Sequence, residues 1–223
     1  QQTTPQVPPP VLTGFNLTNA LRATVSITQV SQTPGGSPVI DCVGSGTLVS
    51  ADGLILTNAH FARPSTRCPS DGIVIGLPVQ TDLPPVATYY ADVVEINVGW
   101  DLAVLRIART LDGRTVDPAT LALPYVALGD SGVLQLDNAL TAIGYSAGTV
   151  AGTGGAIVAP GTITNFLDEA LVGEHAWIKT NATLAGGMSG GGAYNANGQL
   201  IGVPTIEPSP DQPQACRAIQ DTN

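Results

Sequence analysis

The sequence predicts an all-β protein. The chain has 223 residues, with 26 glycines, 18 prolines and an aromatic content of only 4%. Short runs rich in β-branched residues recur between turn signals, and no stretch shows a long apolar period of 3.6 residues. Strands separated by glycine- and proline-rich turns are typical of β-sandwiches and β-barrels. We therefore expect two β units of similar size, joined near residue 115.

The predicted elements follow in chain order. A proline-rich, polar start predicts an extended arm over residues 1–19. The first β unit is predicted over residues 20–115, and its strands at 23–30, 46–50, 54–57, 72–77, 89–97 and 102–107. The second unit is predicted over residues 116–223, and its strands at 139–143, 155–159, 176–179, 192–194, 200–204 and 215–219.

The balance of charges argues against two classes of partner. Lys and Arg total 8 against 17 Asp and Glu, which gives a net charge of −9. A chain of this charge, without a basic run, is expected to bind neither nucleic acid nor an anionic membrane surface. No apolar run reaches the roughly 18 residues of a membrane-spanning helix, so we expect no membrane insertion. No group of histidines, cysteines and carboxylates has the spacing of metal ligands, so no metal is predicted.

Three cysteines, Cys42, Cys68 and Cys216, leave one thiol unpaired if a disulfide forms. Their spacing matches no zinc motif. Cys42 and Cys68 flank the segment that contains His60, and a bridge between them would fasten that segment. This pairing is the favoured one, and it predicts an oxidising compartment, either secreted or in the cell envelope.

One stretch, residues 186–192, contains a serine, Ser189, between glycines on both sides. We call this stretch the serine loop. Glycine reaches positive φ without penalty and permits close approach to the backbone. Those properties suit a nucleophile on a tight turn whose amides face a developing oxyanion. The alternative interpretation is a glycine-rich surface turn.

Two further residues make the first interpretation stronger. His60 ends an apolar strand and Asp101 directly precedes another, although each alone could be structural. A catalytic histidine needs both a nucleophile and a partner that fixes its tautomer. Because no histidine follows Ser189, the order of α/β-hydrolases is excluded. The order His60, Asp101, Ser189 on a β-rich chain matches the chymotrypsin arrangement.

Several spaced motifs resemble those of the HtrA/Deg-type trypsin-like serine proteases. Residues 44–50 and 57–60 are similar to their histidine motif, and residues 101–107 to their aspartate motif. Residues 180–191 resemble their serine motif. The entry to the second barrel and the strand after the serine are matched by residues 128–131, 142–145 and 197–203. The resemblance covers residues 20–206.

This resemblance implies two antiparallel six-stranded β-barrels of the chymotrypsin/trypsin-like fold, with the active site between them. Ser189 would be the nucleophile, His60 the general base and Asp101 its orienting partner. The amides of Gly187 and Ser189 would form the oxyanion hole. Such an enzyme hydrolyses peptide bonds of proteins or peptides through an acyl-enzyme and needs no cofactor. Met188 departs from the motif, which usually has Asn there.

The resemblance also assigns substrate-binding residues, namely Thr183, Leu184, Val203, Pro204 and Thr205. Uncharged Thr183 would lie at the floor of the specificity pocket, so we expect a preference for a small or medium apolar side chain before the scissile bond. Pro204 cannot donate a hydrogen bond to a neighbouring strand, which predicts an edge strand beside the substrate. The alternative function is a catalytically silent pseudo-protease whose barrels serve as a peptide- or protein-binding scaffold. The sequence carries no indication of the oligomeric state.

Overall fold

The computed structural model describes residues 12–33, 37–150, 154–170, 173–206 and 215–219, and these form two closed antiparallel barrels. The strands of the first barrel are β1 (Thr24–Ser31), β2 (Val39–Leu48), β3 (Leu54–Thr57), β4 (Gly72–Leu77), β5 (Val86–Asn97) and β6 (Leu102–Thr110). The strands of the second are β7 (Ala139–Gly144), β8 (Ile157–Glu169), β9 (Gly173–Thr180), β10 (Gly192–Tyr194), β11 (Leu200–Thr205) and β12 (Ala215–Ala218). The predicted all-β class and chymotrypsin-like fold are confirmed.

The strand order in the first barrel is β1-β2-β3-β6-β5-β4, and in the second it is β10-β11-β12-β9-β8-β7. Alternation of side chains specifies the inner face of each strand. In β6, for example, Ala103, Leu105 and Ile107 are buried, whereas the residues between them are half-buried. This pattern was visible in the sequence, and the strand lies close to its predicted position.

Two apolar cores hold the barrels together. The core of the first barrel includes Leu48, Ile55 and Leu105, and it continues into the second barrel through Ile143 and Tyr194. The core of the second barrel is built from residues that include Leu140, Ile163, Ile178 and Met188. Because apolar side chains of both barrels share one cluster, their contact is closely packed rather than a solvent-filled gap. A site at this contact therefore has rigid walls.

The prediction of an extended arm over residues 1–19 is wrong for its last part. Residues 1–11 lie outside the described residues, but helix α1 (Gly14–Ala23) occupies the rest of the arm. Leu17 and Leu21, four residues apart, pack on the first core beside buried Ala20. This spacing places them on one helix face. The amphipathic pattern of α1 is short and directly follows a proline-rich segment, so the sequence did not indicate a helix here.

Two strand boundaries differ most from the prediction, and one short helix was not predicted. β2 begins at Val39 rather than 46, and β8 continues to Glu169 rather than 159. Neither added part alternates regularly between buried and exposed residues, which is the pattern by which a strand is recognised. A short helix, α2 (Ala147–Val150), follows β7. Of the helices in the described part of the chain, none is both long and apolar enough to cross a membrane.

Candidate active site

His60 and Asp101 form a hydrogen-bonded pair at one end of the first barrel. His60 lies in a 3-10 turn, Ala59–Phe61, just after β3, and Asp101 directly precedes β6. The pairing of β3 with β6 therefore brings the two side chains together. The Nδ1 of His60 lies 3.0 Å from each carboxylate oxygen of Asp101. With the Nδ1 proton directed at the carboxylate, Nε2 carries the lone pair and can accept a proton.

Asp101 has a left-handed backbone, with a φ of 49°. This conformation is uncommon outside glycine, although aspartate tolerates it better than most residues. Two hydrogen bonds hold it: the Asp101 N–H donates to the carbonyl of Val98 (3.3 Å), and the Asp101 carbonyl accepts from Nδ2 of Asn58 (3.1 Å). Backbone strain of this kind is concentrated at functional sites. The geometry therefore marks Asp101 as a candidate functional residue.

The serine loop of the second barrel lies directly on the first barrel. The carbonyl of Ser189 accepts a hydrogen bond of 2.9 Å from the N–H of Ser45 in β2. Gly190 has a φ of +85°, and a Cβ there would overlap the Ser45 carbonyl and the Thr57 hydroxyl. Only glycine fits this close approach. Gly190 is thus explained by contact between the barrels.

The N–H of Gly187 points away from the segment that contains Ala147. The carbonyl of Gly186 accepts a hydrogen bond of 2.9 Å from the N–H of Ala147. In a trans peptide the C=O and the following N–H point in opposite directions, so the Gly187 N–H points away from Ala147. Neither this N–H nor that of Ser189 donates to any acceptor in the described parts of the chain. The loop therefore presents two uncommitted donors, as an oxyanion hole requires.

The backbone of Gly187 is fixed from behind by Ser45. The Oγ of Ser45 donates to the carbonyl of Gly187 and accepts from the N–H of Tyr145, each over 2.8 Å. Ser45 is completely buried. This hydroxyl therefore links the first barrel, the serine loop and the end of β7. Ser45 lies within residues 44–50 of the histidine motif, and its role as this link is evident only in the structure.

The hydroxyl of Ser189 does not bond to His60. Instead, its Oγ accepts a hydrogen bond of 3.0 Å from the N–H of Ile206, just beyond β11. No hydrogen bond joins Ser189 to His60 in the residues that the structure describes. The two predicted oxyanion donors lie in one loop, and His60 pairs with Asp101. The serine hydroxyl is held instead by Ile206. Sequence reasoning missed Ile206, which is a single apolar residue without a distinguishing pattern.

Asn58 joins the aspartate to the second barrel. Its side chain is completely buried, and its Nδ2 donates to the Asp101 carbonyl and to Oγ1 of Thr205, the latter over 2.8 Å. Thr205 was predicted as a substrate-binding residue. Here its hydroxyl accepts from a residue two positions before His60. Asn58 thus links the turn that contains Asp101 to the end of β11.

A cleft with a volume of about 760 Å³ opens beside His60 and Asp101. Its walls include the loop after His60 and the side chains of Glu169, Trp177 and Arg217. Arg217 stacks on the Trp177 ring, with Cζ 3.7 Å from the ring centre, and its Nη1 lies 2.6 Å from Oε2 of Glu169. Hydrogen bonds from Arg217 and, to a smaller extent, from Trp177 hold the pKa of Glu169 below its ordinary value.

The other predicted substrate-binding residues differ in exposure. Leu184 and Val203 are buried, Pro204 is buried within β11, and Thr183 is exposed. β11 pairs with β10 as far as Gly202 and with β12 from Gly202 to Thr205. On the side facing the serine loop, Pro204 pairs with no strand of the described chain, but its carbonyl accepts a hydrogen bond of 2.9 Å from the N–H of Gly190. Residues 207–214, which follow this strand, lie outside the described residues.

The structure shows the state of the three cysteines and the environment of Met188. Cys42 and Cys68 form the predicted disulfide, with Cα atoms 5.6 Å apart, and Cys216 is a buried free thiol. Burial raises the pKa of that thiol to about 12.

Met188 is buried in the second core, where its Sδ accepts a hydrogen bond from the N–H of Ala185. In the ranges that the structure describes, no group of three or more potential ligands could hold a metal ion.

The sequence profile of the trypsin-like peptidase domain matches residues 44–203, which are 160 of the 223 residues. This range includes His60, Asp101 and Ser189. The match also spans strands of both barrels. It therefore covers the predicted catalytic residues and the serine loop, and it ends before Thr205, Ile206 and Arg217.

Three curated proteins illustrate the similarity. A probable periplasmic serine endoprotease DegP-like of Chlamydia trachomatis is 31% identical over 73% of this chain and 28% of its own length. A probable periplasmic serine endoprotease DegP-like of Rickettsia conorii is 30% identical over 85% of this chain and 32% of its own length. The mitochondrial serine protease HTRA2 of Bos taurus is 32% identical over 74% of this chain and 31% of its own length. The chain thus spans about three tenths of these relatives.

Proposed function

Because this chain belongs to the trypsin-like peptidase family, we propose that it is a serine endopeptidase acting on proteins or peptides through His60, Asp101 and Ser189. One observation carries the proposal most strongly. The His60–Asp101 pair opens on the same cleft as Ile206, whose N–H holds the hydroxyl of Ser189. The proposed base and its orienting acid thus line one cleft together with Ile206, the residue that holds the hydroxyl of the proposed nucleophile.

The proposed reaction uses each group in turn. Ser189 attacks the substrate carbonyl while Nε2 of His60 takes the hydroxyl proton, and Asp101 stabilises the resulting imidazolium. The N–H groups of Gly187 and Ser189 receive the oxyanion, and each such donor is worth roughly 3–4 kcal/mol in the transition state. His60 then gives its proton to the leaving amine, and water hydrolyses the acyl-enzyme.

For this attack, the hydroxyl of Ser189 must leave the N–H of Ile206. A change between staggered χ1 rotamers is sufficient to redirect a serine hydroxyl. Beyond Gly202, no strand of the described chain pairs with the side of β11 that faces the serine loop, and an extended substrate could add there as a strand. A substrate that engages the Ile206 N–H would release the hydroxyl at the same time. Catalytic hydrogen bonds that are absent before substrate binds are common in enzymes of this kind.

We further propose a preference for a small or medium apolar side chain before the scissile bond. Thr183 carries no charge, and Leu184 and Val203 are apolar. These features support an uncharged pocket rather than one for Lys or Arg. Digestion of a proteome-derived peptide library, followed by mass spectrometry of the cut sites, tests this preference. A predominance of cuts after Lys or Arg would contradict it.

An extracytoplasmic location fits the same proposal. Two of the relatives are described as periplasmic, and the Cys42–Cys68 disulfide requires oxidising conditions to persist. Export can be tested by fractionation of the native cells with an antibody. Recovery of the protein only in the cytosol would oppose the proposal.

One observation favours a second function, that of a silent protease fold acting as a peptide-binding scaffold. It is the hydrogen bond that holds Ser189 at Ile206 rather than at His60. A fluorophosphonate probe, which labels only an activated serine, separates the two functions. We expect labelling of the wild type and of Ser131→Ala, a buried serine outside the site, but not of Ser189→Ala. Loss of Ser189 should also lower kcat by a factor on the order of 10⁶. Absence of labelling in every protein would support the scaffold.

A further inference from the structure

The cleft beside His60 concentrates positive charge in an acidic protein. The chain carries a net charge of −9 and only 8 lysines and arginines. Three of these eight, Arg63, Arg67 and Arg217, line this single cleft. Arg63 and Arg67 lie in the loop after His60, and Arg217 projects from β12 on the opposite wall. Cationic groups thus face the space from both barrels.

The carboxylates in the same cleft are already bound. Asp101 is held by His60, and Glu169 by Arg217 and by the Nε1–H of Trp177 at 2.9 Å. By contrast, Arg63 and Arg67 are exposed, and their guanidinium groups form no hydrogen bond or ion pair with the rest of the described chain. The charge that remains available to a ligand is therefore positive.

Arg217 supplies an independent indication. It is only 2% exposed, yet its Nε is buried without a hydrogen-bond partner among the described residues. Its other nitrogens bond to Glu169 and, over 3.4 Å, to the carbonyl of Gly99. A buried donor without an acceptor costs free energy that a bound acceptor recovers. The guanidinium of Arg217, which lines the cleft, therefore has one hydrogen-bond donor that the described residues do not use.

We propose that this cleft binds an acidic side chain of the substrate, Asp or Glu, close to the scissile bond. The inference rests on the proposed endopeptidase function. Thr205 and Ile206, where the substrate is proposed to lie, line the same cleft. Side chains of a substrate strand at this edge would enter the space between Arg63, Arg67 and Arg217. Guanidinium groups bind carboxylates through charge-assisted, often bidentate hydrogen bonds.

The test uses peptides that contain one cleavable sequence. At each of the four positions before and after the scissile bond, Glu is compared with Gln. At one or more of these positions, we expect kcat/KM to be about tenfold higher with Glu, because each exposed charge pair contributes up to a factor of roughly five. In Arg63→Gln/Arg67→Gln this preference should fall to about twofold or less. The matched control is Arg22→Gln on α1, an exposed arginine outside the cleft.

The same comparison can be made without catalysis. In Ser189→Ala, binding of fluorescein-labelled Glu and Gln peptides is measured by anisotropy, and the Glu peptide should bind more tightly, less so at 0.5 M salt. Equal affinity for Glu and Gln at every position in this protein would overturn the inference. Lack of cleavage with retained preference for Glu would overturn only the endopeptidase proposal. Arg63→Glu/Arg67→Glu should reverse the preference in favour of Lys over Gln. If the preference is not reversed, Arg63 and Arg67 do not select substrates by charge, and the inference is wrong.

Discussion

The Nδ2 of Asn58 donates a hydrogen bond of 2.8 Å to the Oγ1 of Thr205. Asn58 follows β3 of the first barrel, and Thr205 ends β11 of the second, so this bond crosses the contact between the barrels. The same amide group also holds the carbonyl of Asp101. One buried side chain thus connects the aspartate turn to the strand where substrate is proposed to lie.

Loss of the Thr205 hydroxyl should therefore affect both folding and activity. Thr205→Val keeps the shape of the side chain but leaves a buried N–H of Asn58 without an acceptor. We expect a loss of about 1–3 kcal/mol in the free energy of unfolding, measured by urea denaturation, together with reduced kcat. Thr205→Ser retains the hydroxyl and should recover most of both. Equal destabilisation by Val and Ser would show that the methyl group, rather than the hydrogen bond, is important.

Gly187 offers a test of the oxyanion geometry. Its φ is +100°, and a Cβ would lie 2.8 Å from both the Ser146 carbonyl carbon and the Tyr145 oxygen. Gly187→Ala should therefore cost more than about 2 kcal/mol in unfolding free energy and abolish fluorophosphonate labelling. Gly186→Ala is the matched control, because a Cβ there has no atom within 4 Å and should change stability by less than about 0.5 kcal/mol. Stability and labelling of wild-type level in Gly187→Ala would refute this description of the loop.

The residues that carry chemistry could be found from the sequence because their neighbours constrain them. Gly190, next to Ser189, reflects close backbone approach to Ser45 and Thr57, and such a constraint leaves a visible motif. Strand β6 was recognisable because its alternation reports one buried face. The pairing of Cys42 with Cys68 was predictable from their positions on either side of His60.

Features that depend on distant contacts could not be predicted in this way. The hydrogen bond from Ile206 to Ser189 is made by a backbone group that every residue except proline possesses. Arg217 and Glu169 are 48 positions apart in sequence, and only the pairing of β12 with β9 and of β9 with β8 brings them together. Helix α1 was missed because ten residues carry too short a pattern beside a proline-rich run. Local sequence determines the elements, whereas these contacts depend on the closure of the barrels.

The disulfide should make stability sensitive to reduction. Cys42 and Cys68 are separated by 26 positions, and closing a loop of this size stabilises a protein by about 3–4 kcal/mol in the chain-entropy description. Dithiothreitol should therefore lower the Tm of the wild type but not that of Cys42→Ser/Cys68→Ser. Cys216→Ala, which removes the buried free thiol, should retain the sensitivity to dithiothreitol. A Tm that does not respond to dithiothreitol in the wild type would contradict a stabilising role for the bridge.

The Arg217–Glu169 pair should make stability depend on acid pH. Arg217 and Trp177 hold the pKa of Glu169 below its ordinary value of 4.5. A carboxylate whose pKa is lower in the folded than in the unfolded state stabilises the fold above its unfolded pKa. That contribution is lost as pH falls through the lowered, folded pKa. The wild type should therefore lose unfolding free energy as the pH falls below about 5, as measured by urea midpoints at each pH.

Glu169→Gln isolates this effect, since the amide keeps a hydrogen-bond acceptor for Arg217 but does not titrate in this range. We expect it to be less stable than the wild type at pH 7 and to show a shallower decline below pH 5. Trp177→Phe keeps an aromatic ring beneath Arg217 but removes the Nε1–H that bonds to Glu169. Its decline should be intermediate, because Arg217 is the larger cause of the lowered pKa. Parallel curves for the wild type and Glu169→Gln would show that other carboxylates account for the acid sensitivity.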